Sequence, residues 1–574
     1  MKEIVFIPYG LFAGNILCGD ANHNGANELI FFKWTSVYPT RNFWTILEYR
    51  LVNRYELVFA DTGPTYPYPP GIHTGNFQPE DIGDIDSDSL TDLLGPNKDK
   101  PNFDTTYYVA TTQESPNYST FPTSLTWWFR HSSNFIGEGG ANYYFPPDLD
   151  NDGRKEILKG SSNPQYGLMI FENVANNINV LVFSDTSRDG YNHAFGDFDL
   201  DGHYEFVTAT LGSRGIVYIC ENTGDNQYDL VRVDTVGIPN GHDVFSGDDV
   251  DGDGHPEFFI RFARVGWTFY LYMWEATGNN TYQRTLVDQV SRPRFDPGDM
   301  KSLCGDVDGD SIDEIVWSIA SDVFVYKATG NNQFQVVWHW VYPGPNDFYQ
   351  AIVNIYDMNK NGYNEIVISG NDTTRIFEVE AVRLLRPNGG ENFHADSNEL
   401  IQWQKFYPPR CDSLSLFYSI DNGSNYTMIT HGISGNDTSY LWTVPNTNSD
   451  SCKVKIIAYG PGWQYDESDG TFSITSTGIK EIATLPLAMT LGVKVYPNPT
   501  KSLSVIRYSL PVEGQVSLKL YNISGRLVKT LVNEHKQPGN YSINLNSKTL
   551  SAGVYFITLQ TQEKRIIERV IIIK

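Results

Sequence analysis

The sequence lacks the features that mark several large classes of protein. It has 5 cysteines in 574 residues, too few for a disulfide scaffold. No run of about 20 apolar residues could form a transmembrane segment, and residues 1–9 lack the apolar region and small-residue cleavage site of a signal peptide. Basic residues are also scarce, since 42 Lys and Arg face 68 Asp and Glu, for a net charge of −26. This balance argues against nucleic acid and against an anionic membrane surface as partners.

Catalytic motifs are also missing. The sequence contains no G-x-S-x-G elbow, no H-E-x-x-H pair, no phosphate-binding glycine loop and no C-x-x-C pair. We therefore expect no catalytic residues and no enzyme activity. Glycosidases and polysaccharide lyases use residues that lie far apart in sequence, so an extracellular polysaccharide-degrading enzyme stays open as an alternative.

What the chain does contain is a short acidic loop that recurs seven times. Its fullest copies are residues 148–156 (DLDNDGRKE) and 197–205 (DFDLDGHYE). Oxygens at positions 1, 3 and 5 converge on one side of a tight turn, glycine at position 6 allows the turn, and a carboxylate at position 9 completes the set. Calcium binds six to eight such oxygens, so the pattern predicts up to seven calcium ions.

The predicted metal ligands are the residues at positions 1, 3, 5 and 9 of each loop. In order from loop 1 to loop 7 they are Asp20, Asn22, Asn24 and Glu28; Asp84, Asp86, Asp88 and Asp92; Asp148, Asp150, Asp152 and Glu156; Asp197, Asp199, Asp201 and Glu205; Asp249, Asp251, Asp253 and Glu257; Asp306, Asp308, Asp310 and Glu314; and Asp357, Asn359, Asn361 and Glu365.

The seven loops differ in predicted affinity. Loops 3, 4 and 5 combine four carboxylates with glycine at position 6, so we expect them to bind most tightly. Loops 2 and 6 have Ser89 and Ser311 at that position, where a positive φ costs a residue other than glycine about 1 kcal/mol. Loops 1 and 7 replace two carboxylates each by asparagine and should lose calcium first. A single loop would be weak evidence, because surface turns are rich in Asp, Asn and Gly.

The spacing of the loops predicts the architecture. Their first residues lie 49 to 64 residues apart, a period typical of propellers, solenoids and arrays. Short apolar or alternating strands separated by turn residues lie between them, and about four strands per repeat fit a propeller blade. The repeats resemble the FG-GAP and VCBS repeats of integrin-alpha-like propellers. This resemblance implies an all-β, seven-bladed β-propeller over residues 1–381, in which residues 2–8 complete the seventh blade.

Two further modules are predicted downstream. Residues 382–475 contain several short predicted strands, typical of an immunoglobulin-like β-sandwich, and Trp403 and Trp442 are expected in its core. Whether Cys411 and Cys452 form a disulfide is left open by the sequence. Residues 476–491 read as a linker. Residues 492–574, which include Val495–Thr500 (VYPNPT) and Leu550–Ile557 (LSAGVYFI), resemble the C-terminal sorting domain of type IX secretion cargo. That resemblance implies the secretion machinery as partner and an extracellular or outer-membrane surface location.

These features together suggest a binding or adhesion module for a glycan or protein, with structural calcium. Aromatic segments are expected in loops opposite the calcium face: residues 66–73, 127–131, 143–145 and 338–345. Among them, Tyr66 and Tyr68 are the candidate ligand-binding residues, whereas Trp127, Trp128, Trp338 and Trp340 are expected in the core. A surface scaffold without a small ligand is the remaining alternative.

Overall fold

The computed structural model describes most of the chain, and every regular element in it is a β-strand. The described residues are 1–7, 15–34, 42–50, 54–62, 71–72, 77–102, 105–117, 119–129, 141–161, 167–187, 190, 192, 193–212, 214–264, 268–292, 301–342, 351–370, 373–406, 410–476, 491–496, 498–500 and 503–573. They fall into two compact units, residues 1–476 and 477–574. No described helix is long and apolar enough to span a membrane.

Seven antiparallel sheets make up most of the first unit, and we number them after the acidic loops that they contain. The chain begins with β1 (Lys2–Ile7), which belongs to sheet 7. Sheet 1 contains β2 (Ile16–Gly19), β3 (Glu28–Trp34), β4 (Asn42–Arg50) and β5 (Arg54–Thr62). Sheet 2 contains β6 (Gly71–Ile72), β7 (Asp81–Gly83), β8 (Asp92–Asn102), β9 (Thr105–Glu114) and β10 (Ser124–Phe129). Sheet 3 contains β11 (Ala141–Tyr144), β12 (Glu156–Ser161), β13 (Leu168–Ala175) and β14 (Ile178–Asp185).

The remaining four sheets repeat this order. Sheet 4 contains β15 (His193–Gly196), β16 (Glu205–Ala209), β17 (Ile216–Gly224) and β18 (Gln227–Thr235). Sheet 5 contains β19 (Gly241–Ser246), β20 (Glu257–Arg264), β21 (Thr268–Gly278) and β22 (Thr281–Ser291). Sheet 6 contains β23 (Leu303–Gly305), β24 (Glu314–Ile319), β25 (Asp322–Gly330) and β26 (Gln333–Val341). Sheet 7 contains β27 (Ile352–Tyr356), β28 (Glu365–Ser369), β29 (Thr374–Glu378) and β1.

Burial changes from strand to strand in a way that follows the sequence. The second strand of a sheet is largely apolar and buried on both faces, as in β24, whereas the fourth strand consists of exposed and half-buried residues, as in β26. Hydrophobic clusters join sheet 1 to 2, 2 to 3, 3 to 4, 4 to 5, 5 to 6 and 6 to 7, and a further cluster joins sheet 7 to sheet 1. Each of the seven sheets therefore packs on two neighbours.

The N-terminal strand completes sheet 7. β1 pairs antiparallel with β29, with Lys2 opposite Glu378 and Ile7 opposite Thr374. Val5 and Ile7 are buried in the cluster that joins sheets 7 and 1. β1 thereby covers the edge of β29, which would otherwise expose unpaired backbone groups.

Two sheets form the module that follows. One contains β30 (Val382–Arg386), β32 (Asn398–Lys405) and β35 (Ser439–Thr443). The other contains β31 (Asn392–His394), β33 (Ser413–Ser419), β34 (Thr427–Ser434), β36 (Ser449–Tyr459), β37 (Trp463–Glu467) and β38 (Phe472–Thr475). Trp403 and Trp442 are buried in the core between them, which confirms their predicted place.

This module contacts sheet 7 and loop 7 within the same unit. Asp466 lies 2.8 Å from the Nζ of Lys2, and the backbone N–H of Trp463 donates to the carbonyl of Asn361 over 2.8 Å. The hydroxyl of Tyr363 donates to the carbonyl of Arg410 over 3.1 Å. The module therefore holds both β1 and loop 7.

All five cysteines lie in the described residues and none forms a disulfide, so the bond considered for Cys411 and Cys452 is absent. β33 pairs with β36 from Ser413 opposite Tyr459 to Ser419 opposite Lys453. Cys411 lies beyond one end of this ladder and Cys452 beyond the other, and the two ends are roughly 20 Å apart at the rise of a strand. A disulfide needs Cα atoms within about 7 Å.

The second unit consists of two sheets around one core. The first contains β39 (Gly492–Tyr496), β40 (Leu503–Leu510) and β43 (Gly539–Asn546). The second contains β41 (Gly514–Asn522), β42 (Leu527–Lys536), β44 (Gly553–Gln560) and β45 (Arg565–Ile572). Most of the predicted linker, residues 477–490, lies outside the described residues.

The aromatic segments depart from expectation. Trp127 and Trp128 lie on β10 and Trp338 and Trp340 on β26, so placing them in loops was wrong. Trp338 and Trp340 pack on Phe377, while Trp128 is 48% exposed. Successive side chains of a strand point to opposite faces, so Trp128 can be exposed while the adjacent Trp127 faces the other side of β10. Tyr143 and Tyr144 likewise lie on β11. Tyr66 and Tyr68 fall outside the described residues.

Candidate metal-binding loops

Each acidic loop joins the first and second strands of its sheet, which in sheet 2 are β7 and β8 if the short β6 is left out of the count, and the Asp at position 1 shapes the turn. One oxygen of this Asp accepts the backbone N–H of position 6 over 2.8–3.0 Å in all seven loops. The residue at position 6 has a φ between 70° and 99°. This left-handed conformation was predicted for Ser89 and Ser311, and both serines adopt it, at 73° and 70°.

The carboxylate at position 9 is the first residue of the second strand in every sheet. One of its oxygens accepts the backbone N–H of position 2 over 2.6–3.1 Å in all seven loops. The side chain at position 2 is always apolar and buried: Ala21, Ile85, Leu149, Phe198, Val250, Val307 and Met358. This apolar anchor fixes the carboxylate below the turn.

The second oxygen of position 9 separates the loops into two groups. In loops 1 to 5 it is buried and has no hydrogen-bond partner: Glu28, Asp92, Glu156, Glu205 and Glu257. All five side chains are 0% exposed. A buried polar atom without a partner costs about 1–3 kcal/mol, and more when it is charged. A cation among the loop oxygens would remove that cost.

Burial also disfavours the ionised form of these carboxylates. It raises the pKa of Glu28, Asp92 and Glu156 to about 8, and neighbouring carboxylates add to the effect. The pKa of Glu205 and Glu257 is raised to about 9 for the same reasons. Without a cation, these groups are therefore largely protonated at neutral pH.

The ligand atoms converge most fully in loops 3, 4 and 5. In each, the four carboxylates predicted as ligands offer oxygens that all lie within 4.8 Å of one another. In loop 2, Asp84, Asp86 and Asp92 meet the same criterion. Two oxygens that each lie about 2.4 Å from one calcium ion can be at most about 4.8 Å apart. The residues present therefore fit calcium in these four loops.

In sheets 1 to 5 a further carboxylate faces position 9 from the third strand. The cross-strand partners of Glu28, Asp92, Glu156, Glu205 and Glu257 are Glu48, Glu114, Glu172, Glu221 and Glu275. Asp86, Asp88 and Glu114 form another convergent set. These residues cannot be recognised from the sequence, because they follow position 9 by 16 to 22 residues, depending on hairpin length. Only the strand register reveals them.

A second group of missed residues comes from the next sheet. The tips of four hairpins end in Asn177, Asn226, Asn280 and Asn332, and each reaches back to the loop of the preceding sheet. Their backbone N–H groups donate to Asp86, Asp150, Asp199 and Asp251 over 2.5–2.8 Å. Their side-chain amides donate to Glu114, Glu172, Glu221 and Glu275 over 2.5–3.0 Å. The recurring Asn at a hairpin tip was the available signal.

Loops 1 and 7 use their asparagines differently. The amide of Asn24 donates to Glu48 over 2.7 Å. In loop 7 the amide of Asn359 donates to Glu365 and that of Asn361 to Glu378. These amides supply hydrogen bonds to carboxylates that a cation would otherwise contact.

In loop 6 the third strand offers a cation. The Nζ of Lys327 lies 2.5 Å from Asp308, 2.8 Å from Asp310 and 2.7 Å from Glu314. Burial lowers the pKa of this ammonium, but its hydrogen bonds to these carboxylates outweigh that effect and raise it. Three of the four predicted ligands of loop 6 are therefore paired with a side chain of the protein.

The two compact units are thus an all-β unit with seven acidic loops and a small β-sandwich unit, and the second belongs to a known family. Residues 494–574 match the secretion system C-terminal sorting domain. The chain therefore ends in a type IX sorting domain, which implies a secreted or outer-membrane surface protein that interacts with the type IX secretion machinery. No family match supports the resemblance of the acidic loops to FG-GAP and VCBS repeats.

Other comparisons add little. No curated protein matches the chain. Among solved structures, it is similar to a xylan beta-1,4-xylosidase from Bacillus halodurans C-125 (8% identity, 98% of this chain and 90% of that chain, TM-score 0.28). It is also similar to beta-glucuronidase 3 from Bacteroides uniformis (11% identity, 34% of this chain, TM-score 0.13), of which it spans 25%. TM-scores this low carry no argument about fold or function.

Proposed function

We propose that residues 1–381 form a closed, seven-bladed β-propeller of the FG-GAP and VCBS kind, stabilised by calcium and displayed outside the cell. The propeller acts as a binding or adhesion module for a glycan or a protein. One observation carries the calcium assignment: in loops 1 to 5 a carboxylate oxygen at position 9 is buried and lacks a hydrogen bond, and in loops 2 to 5 position 9 offers an oxygen within 4.8 Å of other loop carboxylates.

Contacts between neighbouring loops support the closed ring. The residue at position 8 reaches back to the carbonyl at position 1 of the preceding loop: Lys155 to Asp84 and Asn364 to Asp306. Asn27 of loop 1 makes the same contact with Asp357 of loop 7 over 2.7 Å. The last sheet thus meets the first as consecutive sheets meet, and β1 in sheet 7 fits the same arrangement.

The chemistry of the ligands favours calcium among the common metals. The proposed ligands are all oxygens, which suit a hard cation, and none is the cysteine or histidine that zinc prefers. Calcium sites of extracellular modules have dissociation constants of about 10⁻⁴ to 10⁻³ M, and an exported protein meets calcium in that range.

We propose a structural role for these ions. When bound, calcium supplies positive charge that offsets the buried carboxylates. In each of sites 2 to 5 the ion would join the loop carboxylates to the third strand and to the asparagine hairpin of the next sheet, which is the role of a structural ion. The chain is accordingly proposed to be a binding protein and not an enzyme.

Calcium counting and glycan binding test the two halves of this proposal. Protein depleted of metal should take up calcium in calorimetry, and Glu156→Gln should bind one ion fewer than Glu563→Gln, a matched change at an exposed site. A glycan array with calcium and with chelator tests recognition. Calcium-dependent binding without turnover supports adhesion, and release of sugar fragments supports the enzyme alternative. If no glycan binds, the surface scaffold without a small ligand is the favoured alternative.

A further inference from the structure

We propose that loop 6 holds no calcium, because the ammonium group of Lys327 occupies the place of the ion. The protein then binds at most six calcium ions, and sheet 6 keeps its loop folded without metal. The ion count rests on the proposed calcium function. The role of Lys327 as an internal cation does not.

The contacts of Lys327 match those expected of the ion. Its Nζ lies 2.5–2.8 Å from oxygens at positions 3, 5 and 9 of the loop, close to the 2.3–2.6 Å of a calcium–oxygen bond. An ammonium group has three hydrogens to donate, and three carboxylates accept them. The oxygen of Glu314 that meets Lys327 is the counterpart of the oxygen without a partner in loops 1 to 5.

The position of Lys327 in the sheet explains how it reaches the site. β24 pairs with β25 so that Ile315 faces Tyr326, and the next pair in this register is Glu314 and Lys327. Sheets 1 to 5 have glutamate in the place of Lys327. Replacing this glutamate by lysine both removes a ligand and adds a cation.

The formal charges agree with this substitution. Each of loops 2 to 5 has five carboxylates, four in the loop and one on the third strand, and one calcium ion leaves each site with a charge of −3. Loop 6 has four carboxylates, and the ammonium group of Lys327 leaves it with the same charge. A calcium ion added to loop 6 would lie beside the ammonium in a partly buried site. The repulsion between the two cations therefore opposes calcium binding.

Sheet 7 explains why loop 6 needs a different arrangement. In loops 2 to 5 an asparagine at a hairpin tip of the following sheet donates to the position 3 carboxylate. The last two strands of sheet 7 are β29 and β1, which come from different parts of the chain and are not joined by a hairpin. In the described residues, Lys327 donates to Asp308 instead.

The test compares Lys327→Glu, which restores the glutamate of the other sheets, with Lys564→Glu at an exposed site of the second unit. Bound calcium is counted by native mass spectrometry of the full chain at saturating calcium. We expect Lys327→Glu to bind one ion more than the wild type and Lys564→Glu to bind the same number. Equal counts for wild type and Lys327→Glu, with both taking up calcium, would overturn the proposal.

A second measurement separates this proposal from the calcium function. Thermal unfolding in excess chelator should show a lower melting temperature for Lys327→Gln than for Lys564→Gln, because loop 6 then has four carboxylates and no cation. If no variant binds calcium but this difference is present, the calcium function fails and the internal cation stands. If the two glutamine variants melt alike, Lys327 is not the internal cation, whatever the count.

Discussion

Glu205 faces Glu221 directly across β16 and β17, so two carboxylates of like charge form a cross-strand pair beside three aspartates. Such a pair destabilises a sheet unless a proton or a cation lies between the charges. Glu205 is wholly buried, and Asn280 donates to Glu221 over 3.0 Å. If loop 4 binds calcium as proposed, we expect the stability of sheet 4 to depend on that ion.

Glu205→Gln should therefore lower the free energy of unfolding more in calcium than in chelator. In saturating calcium the variant loses one ion and about 1–2 kcal/mol of unfolding free energy. In chelator it loses little, because burial already favours the neutral, protonated form of Glu205, which glutamine resembles. Chemical unfolding in both conditions measures this difference.

Glu314→Gln is the matched control for that experiment. Its side chain pairs with Lys327, so the variant should be destabilised equally in calcium and in chelator. Equal calcium dependence in the Glu205 and Glu314 variants would contradict the distinction between loop 4 and loop 6.

The asparagine hairpins should stabilise neighbouring sheets. Asn280→Gly keeps the backbone N–H and permits the positive φ of 54° that Asn280 adopts, but it loses the side-chain amide that donates to Glu221. We expect a loss of about 1–3 kcal/mol from the unpaired partner, together with weaker calcium binding at loop 4. Asn436→Gly in the following module is a control that should leave calcium affinity unchanged, and a drop in both variants would contradict the assignment.

His193 should make the protein sensitive to acid. Burial lowers the pKa of His193 to about 3, below the value of about 6.5 in an unfolded chain. The unfolded state therefore binds a proton that the folded state excludes, and stability falls as pH decreases from about 6.5 towards 3. His193→Gln should reduce this slope in chelator, whereas His535→Gln, at an exposed site, should not. Identical slopes for the two variants would show that His193 does not contribute.

The module of residues 382–475 should stabilise loop 7. A Cβ at Gly462 would lie 2.4 Å from the carbonyl oxygen of Asn361, so Gly462→Ala must push the module away from the loop. We expect a loss of about 1–3 kcal/mol and weaker calcium binding at loop 7. Gly514→Ala, with no atom within 4 Å of the added Cβ, is the control. An unchanged melting temperature for Gly462→Ala would contradict a stabilising contact.

The loops were predictable from sequence because position 1, position 6 and position 9 are local and each serves one turn. The partners from other strands were not. Glu221 and Lys327 reach their loops through the strand register, and Asn280 reaches its loop from the next sheet, so their distance in sequence depends on hairpin lengths. Loops 2 to 6 therefore looked alike in charge, with four carboxylates each, while Lys327 distinguishes loop 6 from the others. The aromatic pair Trp127 and Trp128 was placed in a loop because its alternation within β10 was not recognised.

Thermal unfolding of the full chain in millimolar calcium and in excess chelator, with magnesium as the control ion, tests structural calcium most directly. Each site held at ten times its dissociation constant adds about 1.4 kcal/mol. Loops 2 to 5 together should therefore raise the melting temperature of the first unit by at least about 5 °C, and magnesium should raise it less. The same melting temperature in calcium and in chelator would contradict the account.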